Sequence, residues 1–162
     1  MSNEQHTANA YLKTKVMSAT PEELRLMLLD GALRFARIGR DGIAEKDYEK
    51  SFENIIKAKD IVLELINILR PDVDPDLCGK LSSLYTFMYQ RLTDANMEHD
   101  AAIVEEVIGL LEYERETWVL LMEKIKTERA SGAAPAAARP ASAPQAPGAY
   151  DGSSAPRLSI EG

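Results

Sequence analysis

Few side chains in this chain could carry reaction chemistry, and none stands at a spacing that would let it. His6 lies in the N-terminal stretch and His99 at a break between helical segments. No Glu-x-x-His pair accompanies them, so the ligand set of a di-metal helix bundle is missing. Cys78 is the only cysteine, which excludes an internal disulfide and any multi-cysteine metal site. Lys80, two positions on, would face elsewhere on a helix, so the thiol has no neighbour to activate it as a nucleophile. Gly79-Lys80-Leu81-Ser82 is like the end of a phosphate loop, but it lacks the upstream glycine and a Ser or Thr directly after the lysine. Ser18, Thr20 and Asp30 have no histidine at hand to complete a triad. The expectation is a protein without catalytic residues, metal or cofactor, and not an enzyme.

The chemistry the sequence does offer is apolar contact. A bundle helix needs an apolar stripe of about 100°, and two segments exceed it. Ile61, Leu65 and Ile68 on one, with Phe87, Met88 and Tyr89 on the other, form a second strip beside the core positions. Such a strip marks either a helix buried on more than one side or a groove for a partner, and Tyr and Met suit a groove. The candidate groove comprises Ile61, Leu65, Ile68, Tyr85, Met88, Tyr89 and Leu92. Tyr11, Leu12, Val16 and Met17 add apolar residues in a segment too short for a bundle helix. That segment either straps onto the bundle or occupies the groove until a partner displaces it.

Four helical segments must position these residues. Thr20-Pro21-Glu22-Glu23 has the form of a capping box with proline at the first turn. Leu24, Met27, Leu28, Gly31, Phe35 and Ile38 follow at spacings of three and four. Gly39 and Gly42 weaken the far end, so this helix is expected to stop near residues 43–45. Asp47 could cap a second helix through Phe52, Ile55, Ile56, Ile61, Val62, Leu65, Ile66 and Leu69, ended by Arg70-Pro71. Asp74-Pro75-Asp76 starts a third, whose inner face is Leu77, Leu81, Leu84, Tyr85, Met88, Leu92 and Ala95. After Glu98-His99-Asp100, a fourth carries Val104, Val107, Ile108, Leu111, Trp118, Leu121, Met122 and Ile125, with Glu114 and Arg115 interrupting its stripe. The predicted architecture is all-α: an antiparallel four-helix bundle with the short N-terminal segment packed on it.

The chain has 162 residues and a formal net charge of -7. An acidic chain without a basic cluster is not expected to bind nucleic acid. A lone thiol suits a reducing cytosol. No basic-then-apolar N-terminal pattern is visible, so no signal peptide is expected. No apolar run approaches ~18 residues, so no membrane insertion is expected. From Ala130 onward, Ala, Pro, Ser and Gly account for 25 of 33 residues, a composition expected to be disordered. The expected organisation is therefore 1–17 as an N-terminal cap, 18–129 as the bundle and 130–162 as a disordered tail. Within that tail, Arg157-Leu158-Ser159-Ile160-Glu161 alternates like a short strand and reads as an inert terminus or a docking motif.

Tyr11 and Val16, then Ser18-Ala19-Thr20-Pro21-Glu22-Glu23-Leu24 running into Met27-Leu28-Leu29-Asp30-Gly31-Ala32, resemble the opening signature of the flagellar secretion chaperone family FliS. Three further blocks agree in order: Ala58 to Leu65; Leu84-Tyr85-Thr86-Phe87-Met88 through Leu92 to Ala95-Asn96; and Glu106-Val107, Leu110-Leu111 and Arg115-Glu116-Thr117-Trp118. Leu29 stands where the family usually has Tyr, and the tail lies outside the shared pattern. The resemblance implies a cytoplasmic bundle that binds the disordered C-terminal segment of flagellin, prevents premature polymerisation and delivers it to the export gate protein FlhA. It implies that the segment around Tyr11, Leu12 and Val16 caps the groove and takes part in that handover. It leaves room for an anti-sigma factor or a co-chaperone as a further partner. The competing reading is a helical adaptor or a structural bundle whose broad apolar faces make a homodimer, with no flagellin client.

Overall fold

The computed structural model describes residues 2–132. The tail expected at 130–162 lies outside them from residue 133 on. Five helices follow one another: α1 (Ser2–Ser18), α2 (Pro21–Ala44), α3 (Tyr48–Asn67), α4 (Pro75–Glu98) and α5 (Ala101–Ala130). The chain divides into two compact units, Met1–Lys124 and Ile125–Gly162. In the second, the end of α5 closes with a turn in which the Ser131 amide donates to the Thr127 carbonyl at 3.0 Å.

The starts of α2, α3, α4 and α5 are those expected. The Glu23 amide donates to Thr20 Oγ1 at 3.2 Å and the Thr20 amide to Glu23 Oε2 at 3.0 Å, which completes the capping box. Asp47 accepts from the Lys50 amide at 3.1 Å and Asp74 from the Leu77 amide at 3.0 Å. Asp100 opens α5 by accepting from the Ala102 amide at 2.9 Å. Two helices end on residues in the left-handed region, Lys46 (φ 60°) and His99 (φ 53°). At the first, Asp47 N donates to Gly42 O at 2.8 Å and Lys46 N to Ile43 O at 3.0 Å, the pair of bonds of a Schellman turn. At the second, the His99 ring stacks on Tyr48, centroids 4.1 Å apart, tying the α4–α5 turn to the start of α3.

Helices α2 to α5 close into an antiparallel ring around one core. Leu29, Leu33 and Ala36 of α2, Ile55, Val62 and Leu65 of α3, Tyr85, Met88 and Leu92 of α4, and Val104, Val107 and Leu111 of α5 are buried in it. Neighbours can be read from their pairings. Arg40 meets Glu105, Arg37 meets Glu112 and Asp30 meets Arg115, so position falls along α5 as it rises along α2. Arg91 with Glu106, and Tyr85 with Glu114, set α4 against α5 in the same sense. These surface pairs fix register more than they add stability.

Gly39 and Gly42 have a second role besides the one read in the sequence. Helix α2 stops at Ala44, within the expected 43–45, and the two glycines also let α3 approach it. A Cβ on Gly42 would stand 2.7 Å from the Ser51 backbone nitrogen and 3.0 Å from the Asp47 carbonyl oxygen, and one on Gly39 would stand 2.7 Å from an Ile55 side-chain carbon. Both glycines are buried, and α2 continues through them to Ala44.

The N-terminal segment also departs from expectation. It is a 17-residue helix, not a strap, and residues 3–18 are all exposed. Leu12 and Val16 share a face, but Tyr11 and Met17 lie off it, so α1 has no stripe wide enough to bury.

Gly42→Ala is expected to destabilise the protein by about 2–4 kcal/mol, because backbone and not a flexible side chain occupies the space. Gly109→Ala, where a Cβ would meet nothing within 4 Å, should stabilise it by about 0.5–1 kcal/mol through helix propensity. Urea unfolding of the two variants checks both signs.

Candidate functional site

The seven residues of the candidate groove fall into two groups. Leu65, Tyr85, Met88 and Leu92 are fully buried. They face the centre of the bundle and line no open surface, which corrects their assignment to a groove. The broad apolar face of α4 reflects deeper burial there. The Tyr85 hydroxyl donates to Glu114 Oε2 at 3.1 Å, and burial, with the nearby Glu114 charge, pushes its pKa up. That bond explains the interruption of the α5 stripe: Glu114 supplies the acceptor that a buried phenol needs, and Arg115 turns out to Asp30. Leu29, at the position where the resemblance expects Tyr, is wholly buried.

Ile61, Ile68 and Tyr89 are only partly buried. They do not share one surface. Ile61 lies toward α2, its Cδ1 being 3.2 Å from where a Cβ on Gly31 would stand. Tyr89 lies on the α3 side of α4, with the Lys59 ammonium 4.6 Å from its ring centroid. Ile68 belongs to a pocket at one end of the bundle.

Apolar surface stands open along α3 and at one end of the bundle. On α3 it follows the face turned toward Tyr89. Phe52, Ile56, Leu63 and Ile66 recur there at helical spacing, and Phe52 and Leu63 are 56% and 41% exposed. Phe52, Ile56 and Ile66 belong to the apolar set read in the sequence, and Leu63 was not singled out there, since a second apolar face on a helix looks the same whether a neighbour covers it or not.

At the end of the bundle is a cavity of about 540 Å³ where the core runs out. Ala19, Pro21 and Leu24 at the start of α2, Ile68 and Leu69 at the end of α3, Val73 in the connection, Leu77, Cys78 and Leu81 on the first turns of α4, and Trp118 of α5 line it. Glu22, Arg25, Arg70 and Asp74 supply its charges. Trp118 closes one wall. Its Nε1 donates to the Glu22 carbonyl oxygen at 2.9 Å, and the Arg25 guanidinium sits 4.8 Å from its ring centroid. The pocket opens because buried residues begin only at Leu29 on α2 and Tyr85 on α4, while α3 and α5 bury none beyond Leu65 and Leu111. Leu24 and Leu77 therefore have no full layer to join. The signal available in the sequence was an apolar residue just inside each proline-marked helix start.

Tyr11, Leu12 and Val16 are 67%, 50% and 44% exposed on α1. Lys13 and Lys15 stand among them, so the end of α1 nearest the bundle is an apolar and basic surface on an acidic protein. No cluster of metal-ligating side chains occurs among the described residues, and no described helix is long and apolar enough to cross a membrane.

A family model described as flagellar protein FliS matches residues 3–125. The flagellar secretion chaperone FliS of Bacillus subtilis is 34% identical over 125 residues, 77% of this chain and 92% of that protein. The protein of the same name from Salmonella typhimurium is 35% identical over 121 residues, 72% of this chain and 87% of its own length. That from Campylobacter jejuni is 32% identical over 110 residues, covering 68% and 86%.

The division between core and open surface is testable. Leu65→Asp and Met88→Asp place a carboxylate in the sealed interior and should unfold the bundle, at a cost above about 4 kcal/mol. Phe52→Asp and Leu63→Asp should leave the midpoint of thermal unfolding within a few degrees of the parent. Circular dichroism melts separate the two pairs.

Proposed function

The chain belongs to the FliS family, and on that premise we propose that it is a flagellar export chaperone that works in the bacterial cytoplasm. It holds the C-terminal segment of flagellin, keeps that segment from polymerising too early, and delivers it to the export gate protein FlhA. The observation that carries this reading is the apolar surface left uncovered on a bundle whose core is otherwise complete: the Phe52–Leu63 face of α3 and the end pocket beside Trp118. A disordered amphipathic segment folds as helices onto such surfaces. Ordering costs it about 2–5 kcal/mol, so capture is reversible, as delivery requires. Release draws on the encounter with the export apparatus.

The exposed Tyr11, Leu12 and Val16 of α1 are the proposed contact for the gate. They lie outside the core, so they are available to a second partner while the bundle holds the first.

Trp118 is the only tryptophan, and its position in the pocket wall makes it the reporter. Titration with a peptide covering the C-terminal segment of flagellin should shift its fluorescence, raise the helicity of the mixture and saturate in the micromolar range or below. No binding, together with a mass that rises with protein concentration, would support the homodimeric bundle instead. Tyr11→Ala should leave the melting temperature and peptide binding unchanged and reduce retention of the loaded chaperone on immobilised FlhA.

A further inference from the structure

Arg25 differs from the arginines that pair with carboxylates, and shares with Arg34, which lies over Phe35, a place against an aromatic ring; of the two, only Arg25 lines the end pocket. Arg37, Arg40, Arg70, Arg91 and Arg115 each hold a carboxylate. Among the described residues, Arg25 has no carboxylate within 4 Å, although Glu22 stands three positions before it on the same helix. Its guanidinium lies instead over the Trp118 ring. It is half-buried and lines the end pocket. Of the other rim charges, Arg70 donates twice to Asp72, at 3.1 and 3.0 Å, Asp74 caps α4, and Glu22 offers its backbone carbonyl to Trp118 and keeps its carboxylate on the rim. The pocket thus presents an apolar wall of Leu24, Leu77, Leu81 and Trp118 beside a planar cation whose donors are unspent.

The geometry points to Arg25 as the anchor for the C-terminal carboxylate of the bound polypeptide, with the apolar side chains of its last residues inserted against Trp118. This rests on the flagellin reading above and adds which end of the client the pocket takes. Three physical arguments favour a chain terminus. A guanidinium fork fits a carboxylate with two parallel hydrogen bonds. Stacking on indole holds the fork in one plane while leaving its edge free. A helix that ends at the pocket also brings the negative end of its dipole to the same cation. A cavity of about 540 Å³ has room for more than one large aliphatic side chain beside that carboxylate.

Two peptides of identical sequence, covering the C-terminal segment of flagellin and ending in a free carboxylate or in an amide, test the assignment with the full chain. Binding is followed by Trp118 fluorescence and, since Arg25 touches that ring, also by calorimetry. The acid should bind the parent protein about tenfold more tightly than the amide. Arg25→Gln should bind both with the same weakened affinity, the two changes failing to add. Arg25→Lys, which keeps the charge without the fork, should restore part of the difference. Equal affinity of acid and amide for the parent, or an acid preference that survives in Arg25→Gln, would overturn the anchor while leaving flagellin binding intact. Failure of both peptides to bind the parent would overturn the flagellin reading and the anchor with it. Circular dichroism of both variants establishes that the bundle is folded in each comparison.

Discussion

The close approach of α2 and α3 is the constraint on which the rest of the bundle depends. Where Gly42 faces Ser51, the two backbones come so near that no side chain fits between them. The Schellman turn at Lys46 and the Asp47 cap then return the chain at that spacing. A seam this tight leaves one way to set α3 on α2, and it draws Ile55 and Ala58 into the centre. Helices α4 and α5 complete the ring, their registers set by Arg91 with Glu106 and by the ladder of ion pairs along α2 and α5.

The seam also explains why the bundle opens where it does. At the Gly42 end, small residues and the stacked Tyr48 and His99 rings bring the helices together over a filled core. At the other end, α2 begins and α3 finishes with large aliphatic residues that no glycine accommodates. The last filled layers are those of Leu29, Leu65, Tyr85 and Leu111. Beyond them Trp118 spans the gap with a hydrogen bond to the Glu22 carbonyl, and the pocket remains. A bundle sealed at one end and unfilled at the other can keep its fold while offering apolar surface to a guest, because the surface offered is not the surface that holds it together.

This separation matters for a protein that must bind and let go. If the client were held by the same side chains that form the core, loading and release would each carry the cost of partial unfolding. Phe52, Leu63 and the pocket wall, the proposed client surfaces, are supported from behind by residues that stay buried. Tyr85 shows how that support is made rigid. Its hydroxyl, satisfied by Glu114, fixes α4 against α5 one layer inside the pocket.

Local physics in the sequence determined the helices themselves. Thr20, Asp47 and Asp74 each announce a start through a side chain that reaches its own backbone, and such bonds need no tertiary partner. The same holds for the all-α class and for the antiparallel order imposed by short connections. Tertiary structure alone decided which apolar faces are covered. Met88 and Phe52 are both apolar residues on broad helical faces, yet one is sealed and the other open, because coverage depends on neighbours far away in the chain. Gly42 read only as a weakness until α3 lay against it, and Trp118 read as one more core residue until the layer beneath it proved to be the last. Burial belongs to pairs of elements, and no single segment carries the information that sets it.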